Sequence, residues 1–389
     1  MSGAGIQNND SILCLSFARL LMLMSLRTLT AIFLAAVLII QTVAVGSAFE
    51  TDQYNLPPEP LADIGDEVSN YVEESLSKAI FRLNAEIAVR QSCLENAESK
   101  KTKCGSAHKE LERLNYLRSE RAVAAEVYNL LGTGVPPFTS SENWLKSHDF
   151  KKQPARYRTS LWQSIYLTLP IDYVGLAPTV NLYGAQFGTD KIAHFFQQGY
   201  SYYKIYNDAL KDGMTPAEAS AKAVIWGQKT ERTYYGTLLT GVYSNADLCA
   251  NYAGMRFYQG LTRAIQIGAS VRPPVIVLKE GRWEFNENVD LRGVLLKPFM
   301  SSHLNEALNP SVFTKHLGLR ASVRRNVKKQ GCRQWRKQYP DVSRADFEEL
   351  TRRLTRWHGE DYGFTDSKNF ITIADTCFDR DDPIAHADE

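Results

Sequence analysis

Residues 63–94, DIGDEVSNYVEESLSKAIFRLNAEIAVRQSCL, contain a single glycine, no proline, and an apolar stripe through Val68, Tyr71, Val72 and Leu76. Apolar side chains three and four residues apart share one face of a helix, so this stretch predicts a long amphipathic α-helix. The same composition, rich in Glu, Ala, Leu, Lys and Arg, resumes through Leu111, Leu114, Leu117 and Val123 and runs to about Leu131. Between the two arms lies a polar stretch, 96–107, with Lys100, Lys101, Lys103 and Gly105. The pattern predicts a helical hairpin with its tip in that stretch, clamped by a bridge from Cys93 to Cys104. For this hairpin a spacer without a site of its own is the simplest reading.

Gly132, Gly134, Pro136 and Pro137 end the hairpin, as both residue types interrupt regular structure. A second helical region follows, dense in rings such as Trp162, Tyr166, Tyr183, Phe187, Phe195 and Tyr202. That density predicts a packed core, with a sugar or lipid groove as the alternative. Thr215, Pro216 and Glu218 form a helix start in which the hydroxyl caps free N–H groups and the glutamate reaches back, and this helix should run to about Arg232. Ser244 and Asp247 repeat the signature before an apolar run. Farther on, 275–278 and 283–285 flank the turn-like KEGR and predict a short β-hairpin.

The expected architecture is therefore mainly α: a helical hairpin (49–135), a central helical bundle (136–270) and a basic C-terminal region with a small β-hairpin (271–378). An acidic tail (379–389) reads as disordered. The first segment (1–48) reads as a signal peptide. Its apolar block 31–40, AIFLAAVLII, follows Arg19 and Arg27 and precedes the small residues Gly46, Ser47 and Ala48. A spanning helix needs about 20 apolar residues, and Gln41 and Thr42 interrupt the run. Cleavage after Ala48 is the preferred reading; a retained anchor is the alternative. The mature chain is then exported, in the periplasm or associated with the envelope. Five cysteines remain there, with Cys93–Cys104 and Cys332–Cys377 the expected bridges and Cys249 left free and buried.

A hydrophobic fraction of 44% and a net charge of +2 describe an ordinary globular chain with no partner dictated by bulk charge. Charge is uneven locally. Between Lys315 and Arg356, thirteen lysines and arginines face four acidic residues. This stretch predicts helices with either a solvated basic face or a face for an anionic surface such as lipid head groups or an acidic glycan. Export argues against nucleic acid.

The residues able to carry chemistry fall in three short segments: Asp190, Lys191 and His194 in GTDKIAHFF; Glu231 and Arg232 in KTERTYYG; Ser244, Asp247 and Asn251 in YSNADLCANYAG. Residues four apart share a helix face, so Asp190 neighbours His194 and Asp247 neighbours Asn251, with Gly254 on the same face as Asp247 permitting close approach of another helix. Packed together, these helices would place several carboxylates, an imidazole and an amide in one cavity. Asp190, His194 and Asp247 are ligand types for a divalent metal ion able to activate water. Without metal, Glu231 and Asp247 could serve as general acid and base, assisted by His194. Lys191, Arg232, Ser244 and Asn251 would then bind substrate, the two cations neutralising a phosphate or carboxylate. Each residue also has a structural reading as a cap, ion pair or helix-terminal charge.

The order D-K-x-x-H-F, then Glu, then S-x-x-D-L-x-A-N-x-x-G resembles the signature of the VanZ-like superfamily and of its small exported lipoprotein relatives of the YfiM type. It rests on Asp190, Lys191, His194, Phe195, Glu231, Ser244, Asp247, Leu248, Ala250, Asn251 and Gly254, in about residues 188–260. The resemblance implies a link to the cell envelope, since VanZ-named members are membrane proteins linked to glycopeptide-antibiotic tolerance. This chain departs from that pattern: Lys222, Gln228 and Lys229 make the middle helix too polar for a lipid-exposed span. Two functions follow as expectations. One is a hydrolase, metal-assisted or acid–base, acting on an envelope lipid or glycan. The other is a non-catalytic envelope protein binding anionic lipid or glycan, with the cluster a structural polar network.

Overall fold

The computed structural model describes residues 50–95, 104–134, 139–167, 175–233, 236–238, 240–315 and 318–378. The expected signal peptide, the hairpin tip at 96–103 and the acidic tail lie outside them. The fold is mainly α, with small antiparallel sheets of two strands. Among the described residues no helix is long and apolar enough to cross a membrane.

Helix α1 (Gly65–Glu95) starts where Asp63 accepts the Gly65 N–H, and Asp66 and Glu67 in its first turn suit the positive end of the helix dipole. It buries Val68, Val72, Leu76, Ala79, Leu83 and Ile87 along one side. The return arm is two helices, α2 (Ala107–Leu117) and α3 (Glu120–Leu131), because the Ser119 hydroxyl caps a fresh start on the Ala122 N–H. Leu111, expected inside, is 48% exposed. The buried face of α2 carries Glu110, Leu114 and Leu117 instead, as Glu110 turns inward to accept the Gly105 N–H and pair with Arg90 at 3.1 Å. Cys93 and Cys104 are disulfide-bonded.

After α4 (Ser140–Ser147) comes a hairpin of β1 (Thr179–Leu182) and β2 (Ala185–Gly188). This corrects the helical expectation for Tyr183 and Phe187. Tyr183 and Gly184 both have positive φ, the two-residue turn whose twist matches a β-hairpin, and the Asp63 carboxylate accepts both of their N–H groups. Trp162, expected in the core, is 77% exposed.

The centre is built from α5 (Asp190–Ala193), a π-helical turn (His194–Gln198), α6 (Gly199–Lys211), α7 (Pro216–Glu231), β3 (Val242–Tyr243) and α8 (Asn245–Thr262). Helix α7 opens with the expected capping box of Thr215 and Glu218. Sixteen of the α8 residues are buried, which places this helix inside the core. Gly199 and Gly254 let α6 and α8 meet backbone to backbone: a Cβ on Gly254 would lie 2.0 Å from the Phe195 carbonyl oxygen. Phe195 and Phe196 are fully buried beside this crossing, each burial worth about 1.5–3 kcal/mol.

Two further hairpins follow, β4 (Ile265–Ile267) with β5 (Ser270–Arg272) and β6 (Ile276–Lys279) with β7 (Arg282–Phe285), the second of them expected. Beyond α9 (Leu291–Val294), strand β8 (Val312–Phe313) pairs with β3. The basic stretch forms α10 (Leu319–Asn326), a π-helical turn (Val327–Gly331), α11 (Cys332–Gln338) and α12 (Arg344–Leu354). Its buried stripe of Leu319, Val323, Val327 and Trp335 packs on Tyr54 and Phe313 in a second core. Cys332 bonds to Cys377 of α13 (Ile373–Cys377), and Cys249 is free and buried.

Candidate functional site

Where α5, the start of α8 and the end of α7 meet, the structure brings together Asp190, Lys191, His194, Glu231, Ser244, Asp247 and Asn251. All are at most 4% exposed. The Lys191 ammonium lies 2.6 Å from Asp190 Oδ2 and 2.5 Å from Asp247 Oδ1, and it also binds Glu306 Oε1. His194 sits on the π-helical turn facing α8, with Nε2 3.4 Å from Asp247 Oδ2 and Nδ1 3.1 Å from Asn251 Oδ1. Ser244 caps α8 by accepting the Asp247 N–H at 3.1 Å. Its own N–H is donated to Glu231 Oε1 at 2.9 Å and its hydroxyl to Glu306 Oε1 at 3.2 Å.

Arg232 is not part of this cluster. It is exposed one residue beyond α7, with its guanidinium over the Tyr243 ring at 5.7 Å. Two carboxylates that the motif did not point to complete the set. Glu50 Oε1 accepts the Thr240 hydroxyl at 2.7 Å, and Glu306 is held by its own N–H donating to Gln53 Oε1 at 2.8 Å. The available signals were a lone glutamate inside the LNEAL run at 304–308 and the polar cluster ETDQ at 50–53. Neither sits at a spacing that marks a site.

Burial sets the electrostatics. It works against the Lys191 charge, yet Asp190, Asp247, Glu306 and Glu50 together raise that pKa well above the usual lysine value. Burial and the neighbouring carboxylates push Glu50 and Glu231 well above the carboxylate range and Glu306 up to about 7. Burial also raises Asp190 against the pull of Lys191. Asp247 goes the other way: His194 and Lys191 overcome its burial and hold it below the usual range.

Of the triad Asp190, His194 and Asp247, expected as metal ligands, the imidazole has partners on both nitrogens, and Lys191 pairs with the two aspartates as it does with Glu306. Among the described residues, the carboxylates whose oxygens converge within 4.8 Å of one another are Glu50, Asp247 and Glu306.

An open cleft of about 920 Å³ lies elsewhere, between α7, the C-terminal half of α8 and the loop 356–364. Its walls include Tyr206, Gln228, Tyr252, Arg256, Gln259 and Phe364, and no member of the cluster. Tyr252 Oη donates to Glu360 at 2.5 Å, and Arg256 pairs with the same carboxylate at 3.3 Å.

The chain matches no family model, no curated protein and no solved structure.

Proposed function

We propose that the chain is an exported envelope protein without catalytic activity that binds glycan in the open cleft, its buried cluster being the network that fixes the helices forming the cleft walls. The closure of the cluster carries this reading. A general acid, base or metal-bound water must come within hydrogen-bond reach of substrate, whereas Asp247, His194 and Glu231 are at most 4% exposed and none lines the cleft. The cleft has the chemistry for sugars: the rings of Tyr206, Tyr252 and Phe364 suit the apolar faces of pyranoses, and the amides of Gln228, Gln259 and Gln266 suit hydroxyl and acetamido groups. Gln259 Nε2 is buried there without a partner among the described residues. Export is supported by the two disulfides, which persist in oxidising compartments.

The test is binding and turnover on one substrate set, insoluble peptidoglycan and soluble N-acetylglucosamine oligomers. Binding that is lost in Tyr252→Ala, with no new reducing ends or muropeptides released, is the expected result. Product release that disappears in Asp247→Asn would overturn the reading in favour of a hydrolase.

A second contact is favoured by one specific observation. Arg324, Arg325, Lys328, Lys329, Arg333 and Lys337 are exposed, and none has an ion pair among the described residues. Such a face suits anionic lipid head groups.

A further inference from the structure

We infer that Glu50, Asp247 and Glu306 hold a divalent cation of the hard, oxygen-preferring class, calcium, magnesium or manganese, which ties the N-terminal segment to α8. This does not rest on the glycan reading.

Charge is the first argument. Five carboxyl groups, from Glu50, Asp190, Glu231, Asp247 and Glu306, are buried together around one ammonium and one imidazole. The acidic groups outnumber the cations even with His194 counted among them, so the excess must be neutralised, by protons or by a bound cation, because an uncompensated charge in such surroundings is very costly.

The second argument is independent of the count. Glu50 and Glu306 each engage partners through Oε1. The second oxygen of each, Oε2, is buried with no hydrogen-bond partner among the described residues. Native interiors rarely leave such atoms unsatisfied. These two side chains, with Asp247, are the ones whose ligand atoms come within 4.8 Å of one another. The unpartnered Oε2 atoms of Glu50 and Glu306 belong to the converging set, whereas the unpartnered oxygens of Asp190 and Glu142 do not.

Ligand type selects the ion. Among the described residues no cysteine joins the set, and the His194 nitrogens are taken by Asp247 and Asn251. An all-carboxylate donor set suits calcium, magnesium or manganese over zinc or copper. Because Glu50 lies far in sequence from Asp247 and Glu306, the site exists only in the folded chain, and binding would add to stability.

The experiment uses the mature chain. Metal content of the purified protein is measured by mass spectrometry, and thermal unfolding is followed in EDTA and in 1 mM calcium, magnesium or manganese after a cycle of unfolding and refolding. The expected result is about one ion per chain and a rise in Tm of roughly 5 °C with the preferred ion. Glu50→Gln and Glu306→Gln should each lower ion content and remove the rise, while the exposed control Glu348→Gln keeps both. If either variant fails to fold, the wild-type content and Tm response decide. Protein that is purified free of metal, with a Tm indifferent to all three ions, overturns the proposal and leaves Glu50 and Glu306 neutralised by protons.

Discussion

Glu231, the last residue of α7, accepts the N–H of Ser244, the N-cap of α8, at 2.9 Å. In an ordinary capping box the acidic residue three positions into the helix makes that return bond. Here that residue is Asp247, and because Glu231 takes over the task, Asp247 turns to Lys191 and His194. Glu231→Ala should therefore strand a buried N–H and cost about 1–3 kcal/mol in urea unfolding. Glu231→Gln keeps an acceptor for the Ser244 N–H and removes a group that could ionise in a crowded acidic cluster, so it should be at least as stable as wild type. Equal losses in the two variants would show that the cap is not what Glu231 contributes.

Lys191 is the internal cation on which Asp190, Asp247 and Glu306 converge. Lys191→Met should destabilise the protein by about 3–5 kcal/mol, since it leaves buried carboxylates facing one another. Adding Asp247→Asn should recover part of that loss, because the second change removes a charge left unpaired by the first. A double-mutant cycle in urea measures the recovery, and simple additivity would rule out the shared network.

At the Gly199–Gly254 crossing a new Cβ meets backbone, not a side chain that can move away. Gly254→Ala would place it 2.0 Å from the Phe195 carbonyl oxygen, and Gly199→Ala 2.6 Å from the Gly254 Cα. Each should cost more than about 3 kcal/mol by forcing α6 and α8 apart. Gly293→Ala, whose nearest neighbour is Asp290 Oδ2 at 3.6 Å, should change stability by less than about 0.5 kcal/mol. Thermal unfolding of the three variants side by side gives the comparison.

The helices were legible because their signals are local. The stripe of α1, the cap of Thr215 with Glu218 and the glycine on the Asp247 face all lie within a few turns of sequence. The motif likewise led to Asp190, Lys191, His194, Glu231, Ser244, Asp247 and Asn251, which do converge. Glu50 and Glu306 were not legible, for their roles depend on a coil segment and on the turn after the 3-10 segment Ser302–Leu304, contacts made across 190 residues for Glu50 with Thr240 and 115 for Glu306 with Lys191. The hairpin at 179–188 was hidden for another reason. Its aromatic residues read as helix core, while the decisive turn, Tyr183-Gly184, is held by Asp63 far upstream.

The exposed face of α10 and α11 gives a prediction about surfaces. With the stripe of Leu319, Val323, Val327 and Trp335 buried, Arg324, Arg325, Lys328 and Lys329 point away from the core. Co-sedimentation at low salt should favour vesicles containing anionic lipid over neutral ones, and binding should fall steeply with added salt as screening shortens to about 8 Å at physiological ionic strength. Replacing the four by glutamine should abolish the preference without lowering stability by more than about 1 kcal/mol, since none has an ion pair among the described residues to lose. Equal binding to both vesicle types would make this face a merely solvated one.

His303 supplies a pH test of the loop that borders the cleft. Its Nε2 donates to the Arg356 carbonyl oxygen and its Nδ1 accepts from the Ser301 hydroxyl, both at 3.0 Å, a pattern that suits the neutral ring. Burial lowers its pKa from 6.5 to about 4. For a base with a depressed folded pKa, the stabilisation is complete above the unfolded value. It fades as pH falls from about 6.5 towards about 4, because the unfolded chain takes up the proton first. With the ring partly exposed, the loss should amount to roughly 1–3 kcal/mol. His303→Gln keeps a donor for Arg356 and does not titrate. The stability difference between wild type and this variant, followed in urea from pH 7.5 down to 4, should therefore shrink through that window, and a difference that stays constant would mean that His303 is not the titrating group.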